Sequence, residues 1–125
     1  MKSQLFLKSG CPHCLKLYIF LSETGLSKEY DIEVFEHGTS RHTAIRIDME
    51  KSGIKPSFPA VLTHSGIWQT DSENLISQLA RDRGNDIENL SLYQYFVRGL
   101  YPKYGAMRRE NIEMKKTIES LQKTK

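Results

Sequence analysis

The chain of 125 residues has few cysteines, no long apolar run and no repeat. No apolar stretch approaches the roughly 20 residues that a membrane-spanning helix needs, which argues against a membrane partner. The opening Met1-Lys2-Ser3-Gln4-Leu5-Phe6-Leu7 holds one lysine and a very short apolar stretch, whereas a secretory signal needs a longer apolar core and a small-residue cleavage site. A cytoplasmic protein is expected. Internal repeats and low-complexity tracts are missing, so a solenoid is not expected. Hydrophobic residues make up 38% and charged residues 26%, a balance that suits a globular chain rather than a disordered one.

There are only two cysteines, Cys11 and Cys14. A disulfide closing so short a loop removes little unfolded-state entropy, so the pair makes a poor structural staple. In a cytosolic chain it points to redox chemistry or to a metal. Charge is uneven. Residues 1–97 hold 10 lysines and arginines against 12 acids, and residues 98–125 hold 8 against 3. The basic excess lies wholly in the tail, which suggests two segments with different tasks.

Gln4–Lys8 reads as a short, largely apolar strand, broken by Ser9-Gly10. Pro12 suits the first turn of a helix that carries Leu15, Tyr18, Ile19 and Leu21 at helical spacing and stops at Gly25. Tyr30–Glu36 alternates as a half-buried strand. Ser40 is a candidate cap for a helix over Arg41–Lys51, with Ala44, Ile45, Ile47 and Met49 available to a core. Ala60–Thr63 and Gly66–Gln69 flank a turn at His64-Ser65-Gly66, and Thr70-Asp71-Ser72-Glu73 fits a capping box opening a helix that ends near Gly84. The order β-α-β-α-β-β-α implies a mixed sheet with helices on both faces over residues 1–84. Two more helices, Asp86–Leu100 and Ala106–Lys123, form an extension over 85–125, separated by Pro102 and Gly105.

A redox cysteine needs a lowered pKa, because the thiolate is the nucleophile. Cys11 falls at the start of a helix, where free N–H groups and the dipole favour an anion. His13 lies beside it, and Lys8 and Lys16 add positive charge. Cys14, one turn on and less exposed, is placed to attack a mixed disulfide on Cys11. Two other readings stay open: ordinary core cysteines, or a zinc site completed by His13, His37, His42 or His64. The metal reading is disfavoured because no second Cys-x-x-Cys and no closely spaced histidine pair exists, and no metal is expected.

Lys8-Ser9-Gly10-Cys11-Pro12-His13-Cys14 resembles the active-site segment of the glutaredoxin family, and Lys55-Pro56-Ser57-Phe58-Pro59-Ala60-Val61 resembles the segment carrying that family's cis-proline. His64-Ser65-Gly66 and Asp71-Ser72-Glu73-Asn74-Leu75 are similar to the last hairpin and helix start of the family, and closer still to the N-terminal domain of glutathione S-transferases. The resemblance implies a thioredoxin-like fold, with a four-stranded mixed sheet flanked by helices, and glutathione as co-substrate. Cys11 would carry the glutathione sulfur, Cys14 would resolve it and His13 would tune the pair. Lys8 would meet a glutathione carboxylate, the backbone of Phe58 before Pro59 would pair with the tripeptide, and Asp71 and Ser72 would hold its γ-glutamyl end. The bland alternatives are a trans Pro59 that starts a strand and a simple cap at Asp71. Two departures stand out. The cysteines are separated by Pro-His, the pair found in periplasmic disulfide oxidases of the same superfamily, where glutaredoxins usually have Pro-Tyr; a His13 that stabilises the reduced thiolate would make the protein a stronger oxidant than a typical glutaredoxin. Thr70-Asp71 stands where glutaredoxins usually have Gly-Gly.

The tail offers a broad apolar face on 86–100 and a short heptad seam of Met107, Asn111, Met114, Ile118 and Leu121. The seam fits either a homodimer or packing on the chain's own domain. Arg108, Arg109, Lys115 and Lys116 read as a solvated face rather than a nucleic-acid site. The expected function is a glutathione-linked thiol–disulfide oxidoreductase acting on protein or low-molecular-weight disulfides. Its rivals are a non-enzymatic thioredoxin-fold adaptor, a glutathione transferase-like protein, and a thioredoxin-like reductase that does not use glutathione.

Overall fold

Three consecutive apolar residues in the first strand decide where it must lie. Leu5, Phe6 and Leu7 of β1 (Ser3–Lys8) are all buried. A strand hidden on both faces belongs inside a sheet covered on both sides. The computed structural model describes residues 2–104 together with Ala106, Met107, Glu110 and Met114, and it has that arrangement. After β1 come α1 (Pro12–Glu23), a 3-10 turn at Leu26–Glu29, β2 (Tyr30–Phe35), α2 (Ser40–Lys51), β3 (Ala60–Leu62), β4 (Trp68–Gln69) and α3 (Ser72–Arg83). The strands lie in the order β2-β1-β3-β4. β1 and β2 run parallel with Leu5 opposite Ile32, while β3 is antiparallel to both β1 and β4. A parallel pair joined through a helix, then an antiparallel hairpin, with helices on both faces, is a thioredoxin-like fold, as the sequence led us to expect.

The pleat divides the core in two. Leu5, Leu7 and Val61 face Leu17, Phe20 and Leu21 of α1 and Leu75, Ile76 and Ala80 of α3. Phe6, Phe35 and Ala60 face Ile45 and Met49 of α2 on the other side.

Several local expectations need correction. Thr39, not Ser40, caps α2, its hydroxyl accepting the His42 N–H at 3.3 Å. Ala44 and Ile47 are exposed, and His42 takes the third buried position of that helix, because 42, 45 and 49 share one face. Its Nδ1 accepts the Gly38 N–H at 2.9 Å, so the buried ring is satisfied. Asp71, not Thr70, caps α3, accepting from the Asn74 N–H at 3.1 Å. Glu73 therefore does not close a capping box and reaches instead to Lys16.

The helix expected over 86–100 is interrupted. A 3-10 turn at Ile87–Asn89 precedes α4 (Ser91–Tyr95), which widens into a π-helical turn over Phe96–Leu100. Residues 101–104 remain helical, so Pro102 does not break the chain here. In the wide turn the Tyr101 N–H bonds to the Phe96 carbonyl, five residues back. This shifts the carbonyls that a proline ring would otherwise meet.

The segment after Gly84 docks on α1. Leu90, at the start of α4, has no capping side chain. The cap comes from Glu23 at the far end of α1, whose carboxylate accepts the N–H groups of Leu92 at 2.9 Å and Tyr93 at 3.0 Å. Tyr93 packs edge-on against Phe20, with centroids 5.9 Å apart. Asn111, Ile118 and Leu121 of the expected heptad seam, and the basic Arg108, Arg109, Lys115 and Lys116, lie outside the described residues, and the dimer reading with them. Met107 and Met114 are exposed. Among the described residues no helix is long and apolar enough to cross a membrane.

The Glu23 clamp replaces a missing cap with two charge-assisted hydrogen bonds. Glu23→Ala is expected to lower unfolding stability by about 1–2 kcal/mol in urea titrations and to speed amide exchange at Leu92 and Tyr93.

Candidate active site

Gly10, with φ +77°, turns the chain out of β1, and Pro12 starts α1 with Cys11 at its N-cap. Only glycine takes that φ at little steric cost. The Cys11 N–H bonds to the Lys8 carbonyl at 3.2 Å, and the Leu15 N–H bonds to the Cys11 carbonyl at 3.0 Å, so the turn is held from both ends. Cys11 is half-buried, Cys14 is buried, and both are free thiols.

The two sulfurs are electrostatically unequal. Cys11 is lowered from an ordinary thiol value to about 5, first because the Cys14 thiol donates a hydrogen bond to its sulfur. The N–H groups of Cys14 and His13 and the His13 ring favour the thiolate further, while burial opposes them. The Cys11 side chain closes no capping hydrogen bond at the start of α1. Cys14 is pushed far up, first because its proton is the one shared with Cys11 and then by burial. The Lys8 N–H donates to the Cys14 sulfur at 3.3 Å, and the Lys8 charge also pulls that value back down. At neutral pH the pair is therefore a Cys11 thiolate beside a Cys14 thiol.

Lys16, expected to add charge beside Cys11, does not. Five positions along an α-helix turn it by about 140° from Cys11. It is 2% exposed, with its ammonium 3.0 Å from the Glu73 carboxylate and 4.8 Å from the centroid of the Tyr101 ring. His13 is exposed, and its imidazole turns toward the tail, with Nδ1 2.6 Å from the Tyr101 hydroxyl and the two rings edge-on at 5.4 Å.

The other singled-out residues form a second group. The Phe58–Pro59 bond is cis. Pro59 is buried, and the Phe58 ring lies 4.7 Å from Phe35 and 5.7 Å from His42. Ser72 is buried at the start of α3, while Asp71 is exposed with one carboxylate oxygen engaged by Asn74. Two clefts open beside Cys11. One, of about 290 Å³, is lined by Leu7, Lys8, Cys14, Leu15, Tyr18, Val34 and Tyr104 among others. The second, of about 460 Å³, adds His37 and Met107. Lys8 lines both; Phe58, Pro59, Asp71 and Ser72 line neither.

Tyr101 and Tyr104 were not legible as site residues. Phe96 and Tyr101 are five apart, which is one turn of a π-helix, so an α-helical periodicity places them on different faces. In the structure their rings lie 5.8 Å apart. Among the described residues no group of three or more His, Cys, Asp or Glu converges as a metal site would require. His42, one candidate ligand, is occupied by the Gly38 N–H.

No protein-family model and no curated protein matches the chain. Among solved structures it is similar to Ure2p in complex with glutathione, at 20% identity and a TM-score of 0.48, over 83% of this chain and 48% of that one. The chain thus spans about half the length of that protein. The fold assignment rests on strand order and direction.

Thiolate absorbance followed against pH is expected to rise through a midpoint at about 5 in the wild type. In Cys14→Ala the sulfur–sulfur hydrogen bond is lost, and the midpoint is expected to climb by about one pH unit or more.

Proposed function

We propose that the chain is a glutaredoxin-like thiol–disulfide oxidoreductase with glutathione as its co-substrate. The observation that carries this is the placement of a half-buried Cys11 at the mouth of α1 with a buried Cys14 one turn on, an arrangement that lowers the first thiol and raises the second. An adaptor with inert cysteines has no use for so low a Cys11 pKa, and structural cysteines are ordinarily raised by burial.

The Cys11 thiolate attacks a disulfide RS–SR′. A Cys11–SR bond forms, the S–S bond breaks, and R′S⁻ leaves and takes up a proton. Loss of the Cys11 charge removes the main cause that held the Cys14 proton. The Lys8 N–H and the Lys8 charge then favour a Cys14 thiolate. Cys14 attacks the Cys11 sulfur, releases the second thiol and closes the Cys11–Cys14 disulfide. Two electrons have passed from the dithiol to the substrate. Two glutathione thiols return them and leave as oxidised glutathione.

For the tripeptide, the reading assigns Lys8 to a carboxylate and the Phe58 backbone before cis-Pro59 to a short ladder. Asp71 and Ser72 take the γ-glutamyl end. Supporting the last assignment, α3 begins there with free N–H groups, the natural seat of a carboxylate, and Asp71 keeps a second oxygen for an ammonium.

Intact-mass spectrometry after exposure to oxidised glutathione tests the roles. Cys14→Ser is expected to trap one glutathione adduct, Cys11→Ser to form none, and the wild type to form an internal disulfide. Absence of any adduct at neutral pH on Cys14→Ser would contradict an activated Cys11.

A further inference from the structure

We propose that Tyr101 is a positioning residue for His13: its hydroxyl donates to Nδ1, fixes the imidazole as the Nε2–H tautomer turned toward the tail, and so withholds the ring from the Cys11 sulfur. The C-terminal segment thereby moderates the oxidising power of the Cys-Pro-His-Cys turn. This rests on the dithiol reading above and deepens it by naming what regulates the pair.

His13 has two faces. Its backbone N–H is among the groups that favour a Cys11 thiolate, whereas its ring is engaged by the tail, with Nδ1 2.6 Å from the Tyr101 hydroxyl. Of the causes that lower Cys11, the Cys14 thiol is the largest and the His13 charge the smallest. The histidine next to the nucleophile thus spends its side chain elsewhere. It is exposed, so little packing restrains its ring, and the bond to Tyr101 decides where the ring points.

The surroundings decide which atom donates. The Lys16 ammonium lies 4.8 Å from the centroid of the Tyr101 ring and draws the ring's electrons toward it. A phenol polarised in this way is a better donor and a poorer acceptor. Lys16 is buried and held by the Glu73 carboxylate at 3.0 Å, so the cation stays in place. Tyr101 therefore donates, Nδ1 accepts, and the ring proton lies on Nε2.

Tyr101 is itself fixed. Its N–H bonds to the Phe96 carbonyl in the π-helical turn, and its ring lies 5.8 Å from that of the buried Phe96. The Glu23 clamp holds the start of the same segment on α1. Tyr101 cannot follow if the imidazole turns away. Without the hydroxyl, the imidazole is free to rotate and donate to the Cys11 thiolate. A charge-assisted hydrogen bond there stabilises the reduced pair and makes it a stronger oxidant.

The test reads the fraction oxidised in glutathione redox buffers at neutral pH for the wild type, Tyr101→Phe, His13→Ala and the double variant. Tyr101→Phe keeps the ring and its packing and removes only the hydroxyl. It is expected to shift the equilibrium about fivefold toward the reduced dithiol, the weight of one ordinary hydrogen bond. The same substitution made on His13→Ala is expected to shift it by less than about twofold, because the hydroxyl then has no ring to hold. Nitrogen NMR of the wild-type imidazole adds a readout independent of redox state, and is expected to find the proton on Nε2 and none on Nδ1. No shift in Tyr101→Phe, an equal shift in the His13→Ala background, or a proton on Nδ1 would overturn the positioning role while leaving the dithiol reading intact. If the wild type closes no internal disulfide in any buffer, the dithiol reading itself fails and the moderating role with it.

Discussion

The coupling of the Cys14 thiol to the Cys11 sulfur, one turn apart at the mouth of α1, organises the proposed chemistry. One proton serves both cysteines. It favours a negative charge on Cys11 and, in the proposed mechanism, keeps Cys14 quiet until that charge is gone. The arrangement needs a fixed separation and a fixed difference in burial, and the fold supplies both. β1 is locked in the middle of the sheet by Leu5, Phe6 and Leu7, so Lys8 arrives at its end in a defined position, with its N–H on the Cys14 sulfur. Gly10 and Pro12 then turn the chain into α1 so that Cys11 sits at the helix mouth and Cys14 beneath it.

The tail belongs to the same construction. Glu23 caps α4 from the end of α1, and Tyr93 packs on Phe20, so the segment after Gly84 leaves the domain along a fixed line. The π-helical turn at Phe96–Leu100 then rotates Tyr101 onto His13. Lys16 and Glu73 tie α1 to the start of α3 beneath the same tyrosine. Helix α1 therefore presents Cys11 and His13 at its mouth and anchors α3 through Lys16 and α4 through Glu23.

Much of the fold was legible because its signals are local. The apolar run in β1, the alternation at Tyr30–Phe35, and the glycines at 10, 25 and 84 each dictate structure over a few residues. The Cys-Pro-His-Cys turn was legible for the same reason. Cap positions slipped by one residue, at Thr39 and Asp71, because adjacent Ser, Thr and Asp all make acceptable caps. The break at Pro102 was misread, since a π-turn that accommodates a proline leaves no periodic trace. The links that complete the site were beyond any local reading. Tyr101 meets His13 across 88 positions, and Glu73 draws Lys16 away across 57. Charge proximity along the sequence suggested Lys16 as an activator; the rotation of the helix decided otherwise.

The central claim, that the reduced pair is stabilised as thiolate and thiol, is tested most directly by the reduction potential of Cys11 and Cys14. It can be read from the fraction oxidised in glutathione redox buffers at neutral pH. A stabilised thiolate resists oxidation to the disulfide, so the account predicts a potential at or above the glutaredoxin range, about −230 to −200 mV. A value near or below that of thioredoxin, about −270 mV, would contradict it.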